Sequence, residues 1–160
     1  MGEAKMVRIE DASRAGLVSV IVVAYNNFNY IFEAISSVLE QSYEKIELII
    51  CDDDSNDFDA DSLYDFIQVH KSENLVSCVI IQNPKNVGTV KNLNIGIKQA
   101  QGEYVIPFAA DDKIFHKDVI KHIVRTFEKV PEDLILTTQV GMYDSTLTQF
   151  WSPFIHSSHI

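Results

Sequence analysis

The chain is poor in the features that would settle its class at once. It has two cysteines in 160 residues, Cys51 and Cys78, each inside an apolar run that reads as a strand. That count excludes a disulfide framework, and two buried thiols in a reducing compartment fit better than a bridge between neighbouring strands. The five histidines (His70, His116, His122, His156 and His159) show no metal-ligand spacing within one element. No zinc site is expected, and His116 alone reads as a site-rim residue. Positive charge is scarce: 13 Lys and Arg against 23 Asp and Glu leave a net charge of −10. A bare phosphate backbone would be repelled, so nucleic acid is not an expected partner. An anionic nucleotide can still bind where a metal ion supplies local positive charge. No apolar stretch approaches the eighteen or so residues of a membrane span, and Met1 to Lys5 hold no signal-peptide core. The reading is cytoplasmic, with peripheral association at the inner face of a membrane left open. Repeats, low-complexity stretches and linkers are absent, which predicts a single domain over residues 17–160 behind a loose polar leader, residues 1–16.

What is present is an alternation of strands and helices. The β-branched run over residues 17–24 is the pattern of a strand buried on both faces. A helix should follow, with Asn29 as N-cap and Tyr30, Ile31, Ala34, Ile35, Val38 and Leu39 at helical spacing. Strands are predicted over 46–51, 75–82, 103–108 and 134–143, the last turning at Asp144-Ser145. Helices are predicted near Leu63 to Ile67, with Asp57 or Asp61 as cap, from Val90 to Ala100 with Gly102 closing it, and from Val119 to Phe127 with Pro131 ending it. The order β-α-β-α-β-α-β-α-β predicts an α/β fold: a mostly parallel, Rossmann-like sheet with helices on both faces.

Two acidic knots lie at strand ends: Asp52-Asp53-Asp54 after Leu48-Ile49-Ile50-Cys51, and Asp111-Asp112 after Tyr104 to Ala110. Carboxylates repel one another and are costly to desolvate unpaired, so their clustering points to a divalent cation or the polar edge of a ligand. Strand C-termini are where open α/β sheets bind ligands. Asp111 and Asp112 are the oxygen donors that Mg²⁺ or Mn²⁺ takes together with substrate phosphates; the plainer alternative is that they begin the next helix. Tyr25, just past the first strand, either caps the core or stacks on a base beside Ala24 and Asn26. A carboxylate of the first knot can accept an imide N–H of a uracil-like base; the plainer alternative is a solvated loop. Lys91, in the first turn of its helix, is either a solvated lysine or a phosphate contact. No Gly-rich phosphate loop follows the first strand, which disfavours an ordinary dinucleotide fold.

The blocks Val18 to Asn26, Ala34 to Tyr43, Glu47 to Asp57, Asn86-Val87-Gly88 with Asn92, Gly96 and Gly102-Glu103-Tyr104, and Ala110-Asp111-Asp112 occur in this order. Together they resemble the family-two inverting glycosyltransferases of the GT-A fold. The resemblance implies a nucleotide-sugar donor, often a UDP-sugar, with Tyr25 on the base, Asp53 bonded to it, and Asp111 and Asp112 at the ribose and the metal-held diphosphate. The family's usual Pro-Thr is Val23-Ala24 here, its usual Gly is Asp54, Ala109 stands at the first Asp of its DXD site, and Lys91 replaces a common arginine. Family members continue for roughly another hundred residues that carry the acceptor site and catalytic base. The expectation is therefore a GT-A donor half, truncated at the C-terminus, with the base beyond Ile160. Such a protein would transfer sugar to an unknown acceptor, sugar or lipid-linked, in polysaccharide or glycan biosynthesis. The alternative is a non-catalytic nucleotide-sugar-binding or assembly module. The aromatic tail (Phe150, Trp151, Phe154, Ile155) is a candidate contact for a homo-oligomer.

Overall fold

The computed structural model describes residues 5–8, 14–130, 132, 135–138, 140–143 and 150–154. The chain divides into two compact units, residues 1–125 and 126–160, where one domain is expected. In the first unit, strands β1 (Lys5–Arg8), β2 (Val18–Ala24), β3 (Ile46–Asp52), β4 (Leu75–Gln82) and β5 (Tyr104–Ala109) form one sheet in the order β1-β4-β3-β2-β5. Four strands are parallel, from β4 through β3 and β2 to β5. The leader is not wholly loose, because β1 closes the β4 edge antiparallel, Lys5 opposite Ile80 and Arg8 opposite Ser77. The expected fifth parallel strand over 134–143 does not form: residues 135–138 carry no regular structure. In the second unit β6 (Val140–Tyr143) instead pairs antiparallel with β7 (Phe150–Phe154), which takes up most of the aromatic tail. The expected turn at Asp144-Ser145, and Ile155, lie outside the described residues.

The β-branched runs explain the centre of the sheet. Val18, Val20, Val22, Leu48 and Ile50 point to one face, where they pack with helices α1 (Phe28–Leu39) and α2 (Ala60–His70) through Ile31, Ile35, Val38, Leu63 and Ile67. Ile21, Ile49 and Cys51 point to the other, against Leu93 of α3 (Thr89–Gln99). Both faces of β2 and β3 are thus covered, as period-two alternation in a buried parallel strand requires. Cys51 and Cys78 belong to opposite faces and are free thiols, so the register itself forbids a bridge. Pro107 sits in β5, which among the described residues pairs only with β2, so its missing N–H breaks no ladder.

The caps differ from expectation. Helix α1 starts at Phe28, before Asn29, and the residue at its N-cap position is Asn27, whose side chain accepts from the Tyr25 N–H at 3.1 Å rather than from the helix. The cap of α2 is Asp59, not Asp57 or Asp61; its Oδ1 accepts from the Asp61 and Ser62 N–H groups at 3.1 and 3.0 Å. Gly102 does not cap α3, which ends at Ala100. It is needed for a close approach instead: a Cβ there would lie 2.6 Å from Ser19 Oγ and 2.7 Å from the Leu17 carbonyl.

Gly96 plays the same role for α3. A Cβ at that position would collide with Ile21 Cγ2 and lie 3.0 Å from Cys51 Sγ. Overpacking of that kind costs about 1–3 kcal/mol. Gly96→Ala should lower stability by that much in urea unfolding, with no compensating gain from the better helix former. An unchanged midpoint would show that α3 can lift off the Ile21 face freely.

Candidate functional site

The strand order reverses at β2. From β2 the chain steps to β3 and β4 on one side, then returns to β5 on the other. Such a reversal leaves a crevice at the strand C-termini where an open α/β sheet takes its ligand. Register brings the predicted residues to that edge. Ala24 pairs with Asp52, Val23 pairs with Ala109, and the Ala110 N–H donates to the Val23 carbonyl at 3.0 Å. Ala24, Tyr25 and Asn26, the first acidic knot, and Asp111 with Asp112 therefore leave three adjacent strands at one end.

Tyr25 is 52% exposed at this edge, so it does not cap the core. Asn26 follows with φ of +52°, a left-handed turn that Asn tolerates. Its N–H donates to Ser55 Oγ at 2.8 Å, and its Oδ1 accepts from the Asn56 N–H at 3.2 Å. Asp54 also adopts positive φ, +67°. That is the physical content of the family's usual glycine there: the position needs left-handed backbone, which Asp supplies at modest cost.

The three aspartates of the first knot divide the work. Asp52 is buried and turns inward, accepting from the Ser55 N–H at 3.0 Å and Ser55 Oγ at 2.5 Å. Burial raises its pKa, and the Ser55 bonds offset this only in part. Asp53 is 2% exposed and accepts three bonds: from Asn83 Nδ2 (3.0 Å) and the Val87 N–H (2.8 Å) at Oδ1, and from the Gly88 N–H (2.8 Å) at Oδ2. Burial pushes its pKa up, but the three donors outweigh it and hold the carboxyl below the usual range. What it can still offer a ligand is one acceptor position on Oδ2. The network continues inward. Asn83 Nδ2 also donates to Asn92 Oδ1 at 3.0 Å, and Asn92 Nδ2 donates to the Cys51 carbonyl at 2.8 Å. Asn83 and Asn92 were not among the expected site residues. A signal was there: Asn92 and Gly96, four apart on α3, are a polar and a small residue on its inward stripe.

Asp111 and Asp112 are exposed, and the Asp112 N–H donates to the Ala109 carbonyl at 3.1 Å. Partial desolvation of its carboxyl, and then the neighbouring Asp111 charge, raise the Asp112 pKa against a backbone bond from Ala109. Lys113 does not neutralise the pair, because its ammonium meets Glu33 of α1 at 2.7 Å. Two adjacent carboxylates with unrelieved repulsion fit a hard divalent cation completed by phosphate oxygens. Among the described residues no group of three or more His, Cys, Asp or Glu could hold a metal by itself. Lys91 is exposed in the first turn of α3 and lines a shallow depression of about 320 Å³ with Val87, Asn94, Ile95 and Lys98. His116 is exposed on the loop after the acidic pair, 3.6 Å from Asp118. Among the described residues no helix is long and apolar enough to cross a membrane.

A parallel sheet with a covered centre, a reversal at β2 and acidic loops around it define the GT-A class of α/β fold. A family model described as Glycosyl transferase family 2 matches residues 19–159, and the chain belongs to that family. An uncharacterized glycosyltransferase of Haemophilus influenzae is 39% identical over 113 residues, 71% of this chain and 33% of that protein. The UDP-Glc:alpha-D-GlcNAc-diphosphoundecaprenol beta-1,3-glucosyltransferase WfaP of Escherichia coli is 35% identical over 96 residues, 60% of this chain and 36% of that one. Among solved structures, S. aureus TarS 1-349 in complex with UDP matches with a TM-score of 0.61 at 29% identity, covering 71% of this chain and 32% of that one. The mannosyltransferase PcManGT from Pyrobaculum calidifontis, in complex with GDP-Man and Mn²⁺, matches with a TM-score of 0.62 at 26% identity, covering 69% and 32%. The chain thus spans about a third of the length of these relatives.

The Asp53 network makes a prediction with a defined pH dependence. Its folded-state pKa lies below the unfolded value, so the ionised carboxylate's contribution is complete above the ordinary carboxylate value of about 4. It is lost as pH falls through the lowered folded value. Asp53→Asn sets an amide N–H against a donor and should cost about 1–3 kcal/mol at pH 7. That cost should shrink below about pH 4. Urea unfolding of both proteins at neutral and acid pH measures it, and a pH-independent cost would remove charge from the explanation.

Proposed function

We propose that this chain forms the donor-binding part of a family 2 glycosyltransferase that uses a nucleotide-diphospho-sugar, most economically a UDP-sugar. The observation that carries the reading is the convergence of exposed Tyr25 with Asp111 and Asp112 across the β2–β5 crevice. Tyr25 offers a ring for the base, with Ala24 and Asn26 beside it. Asp53 shapes the base end by holding Val87 and Gly88, and its remaining Oδ2 position can accept a base N–H. Asp111 is assigned to the ribose and, with Asp112, to Mn²⁺ or Mg²⁺ on the diphosphate. A divalent cation bound there would stabilise the negative charge of the departing diphosphate. Lys91 is assigned to the same anion from α3. UDP in TarS and GDP-Man with Mn²⁺ in PcManGT support this assignment.

The reaction is a single displacement with inversion. The acceptor oxygen bonds to the anomeric carbon, the bond from that carbon to the diphosphate oxygen breaks, and the acceptor proton passes to a base. None of the residues assigned here is that base, so transfer belongs to the whole protein. Polysaccharide or glycan biosynthesis is supported by relatives such as WfaP, whose name includes a diphosphoundecaprenol-linked sugar, and peripheral placement at the inner face of a membrane is part of the same proposal. The second reading is a non-catalytic nucleotide-sugar-binding module.

Calorimetric titration with UDP, with and without Mn²⁺, tests the donor site. Wild type should bind more tightly with the metal, and Asp111→Asn/Asp112→Asn should abolish that gain. Tyr25→Ala should weaken binding in both conditions by the worth of a base stack, about 1–3 kcal/mol. Metal-independent binding, unchanged in the double variant, would refute the assignment. Robust sugar transfer by these 160 residues would exclude the non-catalytic reading.

A further inference from the structure

The loop that carries Asp111 and Asp112 runs from the end of β5 to α4 (Val119–Lys129), and one end of one helix holds most of it. Gln41, just past α1 and 4% exposed, spends its whole amide on three backbone groups. Its Nε2 donates to the Ser37 carbonyl and to the His116 carbonyl, both at 3.0 Å, and its Oε1 accepts from the Ile120 N–H at 3.1 Å. Two carbonyls can only accept and an N–H can only donate, so the partners fix the amide's orientation. Buried Ser37 accepts from the Ile114 N–H at 3.0 Å through its Oγ. The Ser42 N–H donates to the Lys117 carbonyl at 2.7 Å, and its Oγ donates to Asp118 Oδ1 at 2.5 Å. Ile114, His116, Lys117, Asp118 and Ile120 are all tied to three residues of α1 and its exit. At the near end the Ala110 N–H fixes the loop to β2.

We propose that Gln41 is a positioning residue for the acidic pair, holding the loop so that Asp111 and Asp112 present their carboxylates together to a cation–diphosphate ligand. The inference rests on the donor-site reading above. No other side chain of similar size fits the position. Glutamate supplies the acceptor but neither donor at neutral pH, and methionine supplies none of the three. Two adjacent carboxylates repel, and a loop free to relax would splay them toward water. The clamp prevents this by making any such movement break buried hydrogen bonds. Lys113 pairs with Glu33 on the same helix at 2.7 Å, one more tie between α1 and the loop.

The test compares wild type, Gln41→Met and Ser42→Ala by amide hydrogen exchange and by UDP titration with and without Mn²⁺. Gln41→Met should speed exchange at residues 112–120 by roughly tenfold while β2 and β3 stay protected, as loss of a local opening barrier predicts. The Mn²⁺-dependent gain in UDP affinity should fall at least about fivefold, with metal-free affinity unchanged, since one lost buried hydrogen bond is worth about that factor. Ser42→Ala, which removes only the Asp118 bond, should move both readouts the same way by less. It keeps the test decisive if Gln41→Met does not fold. Faster loop exchange with the Mn²⁺ gain intact would overturn the inference and leave the donor site standing. Absence of any Mn²⁺ gain in wild type would overturn the donor-site reading and this inference with it.

Discussion

One crossover leaves β2 for β3 on one side, and a later one returns from β4 to β5 on the other side of β2. The first pair of helices, α1 and α2, runs to β3 and β4 on one side; α3 brings the chain back across the other face to β5. Crossovers in parallel sheets keep one hand, so a change of direction must place the returning helix on the opposite face. Everything that bears on ligand binding follows from that constraint. Strands β3, β2 and β5 end side by side, and their loops cannot pack on one another as a closed core would. They are left free to carry polar groups, and here they carry the two acidic knots.

The polar loops are held by two separate devices, one on each side of β2. On the β3 side, Asp53 fixes Val87 and Gly88, and Asn83 and Asn92 tie that knot to the backbone of β3. On the β5 side, Ser37, Gln41 and Ser42 hold the stretch that follows Asp112. In both, buried side chains (Asp53, Asn83 and Asn92 on one side, Ser37 and Gln41 on the other) bond to backbone, the arrangement that costs least when every group is satisfied and most when one is lost. At the opposite edge of the sheet, buried Glu47 does comparable work, accepting from Ser19 Oγ at 2.6 Å and the Gln101 N–H at 2.8 Å. That bond sets the close passage of Gly102 over Ser19 and so the start of β5.

Much of this was legible in the chain. The β-branched runs gave β2 and β3 almost to the residue, because a strand buried on both faces leaves no other composition. The knots were visible as carboxylates at strand ends. The caps were not: Asn27 and Asn29, or Asp57, Asp59 and Asp61, each offer a side-chain oxygen close together in the chain, so residue type alone does not choose among them. The antiparallel β1 was missed because four residues of mixed polarity at a sheet edge carry no periodic signal. The strand expected over 134–143 was overestimated because an apolar run without partners has no ladder to join.

The sequence by itself determined the alternation of strands and helices, the family, and which carboxylates cluster, since these depend on local pattern and residue type. Only the tertiary structure decided what each carboxylate does. Asp52 and Asp53 are neighbours in the chain, yet successive side chains of a strand point to opposite faces. One turns in to Ser55 and the other pins the approach to α3. Asp111 and Asp112, on a loop beyond the sheet, stay exposed. Gln41 became part of the site in the same way, through a fold that brings residues 37–42 against 114–120. No spacing in the chain records that contact.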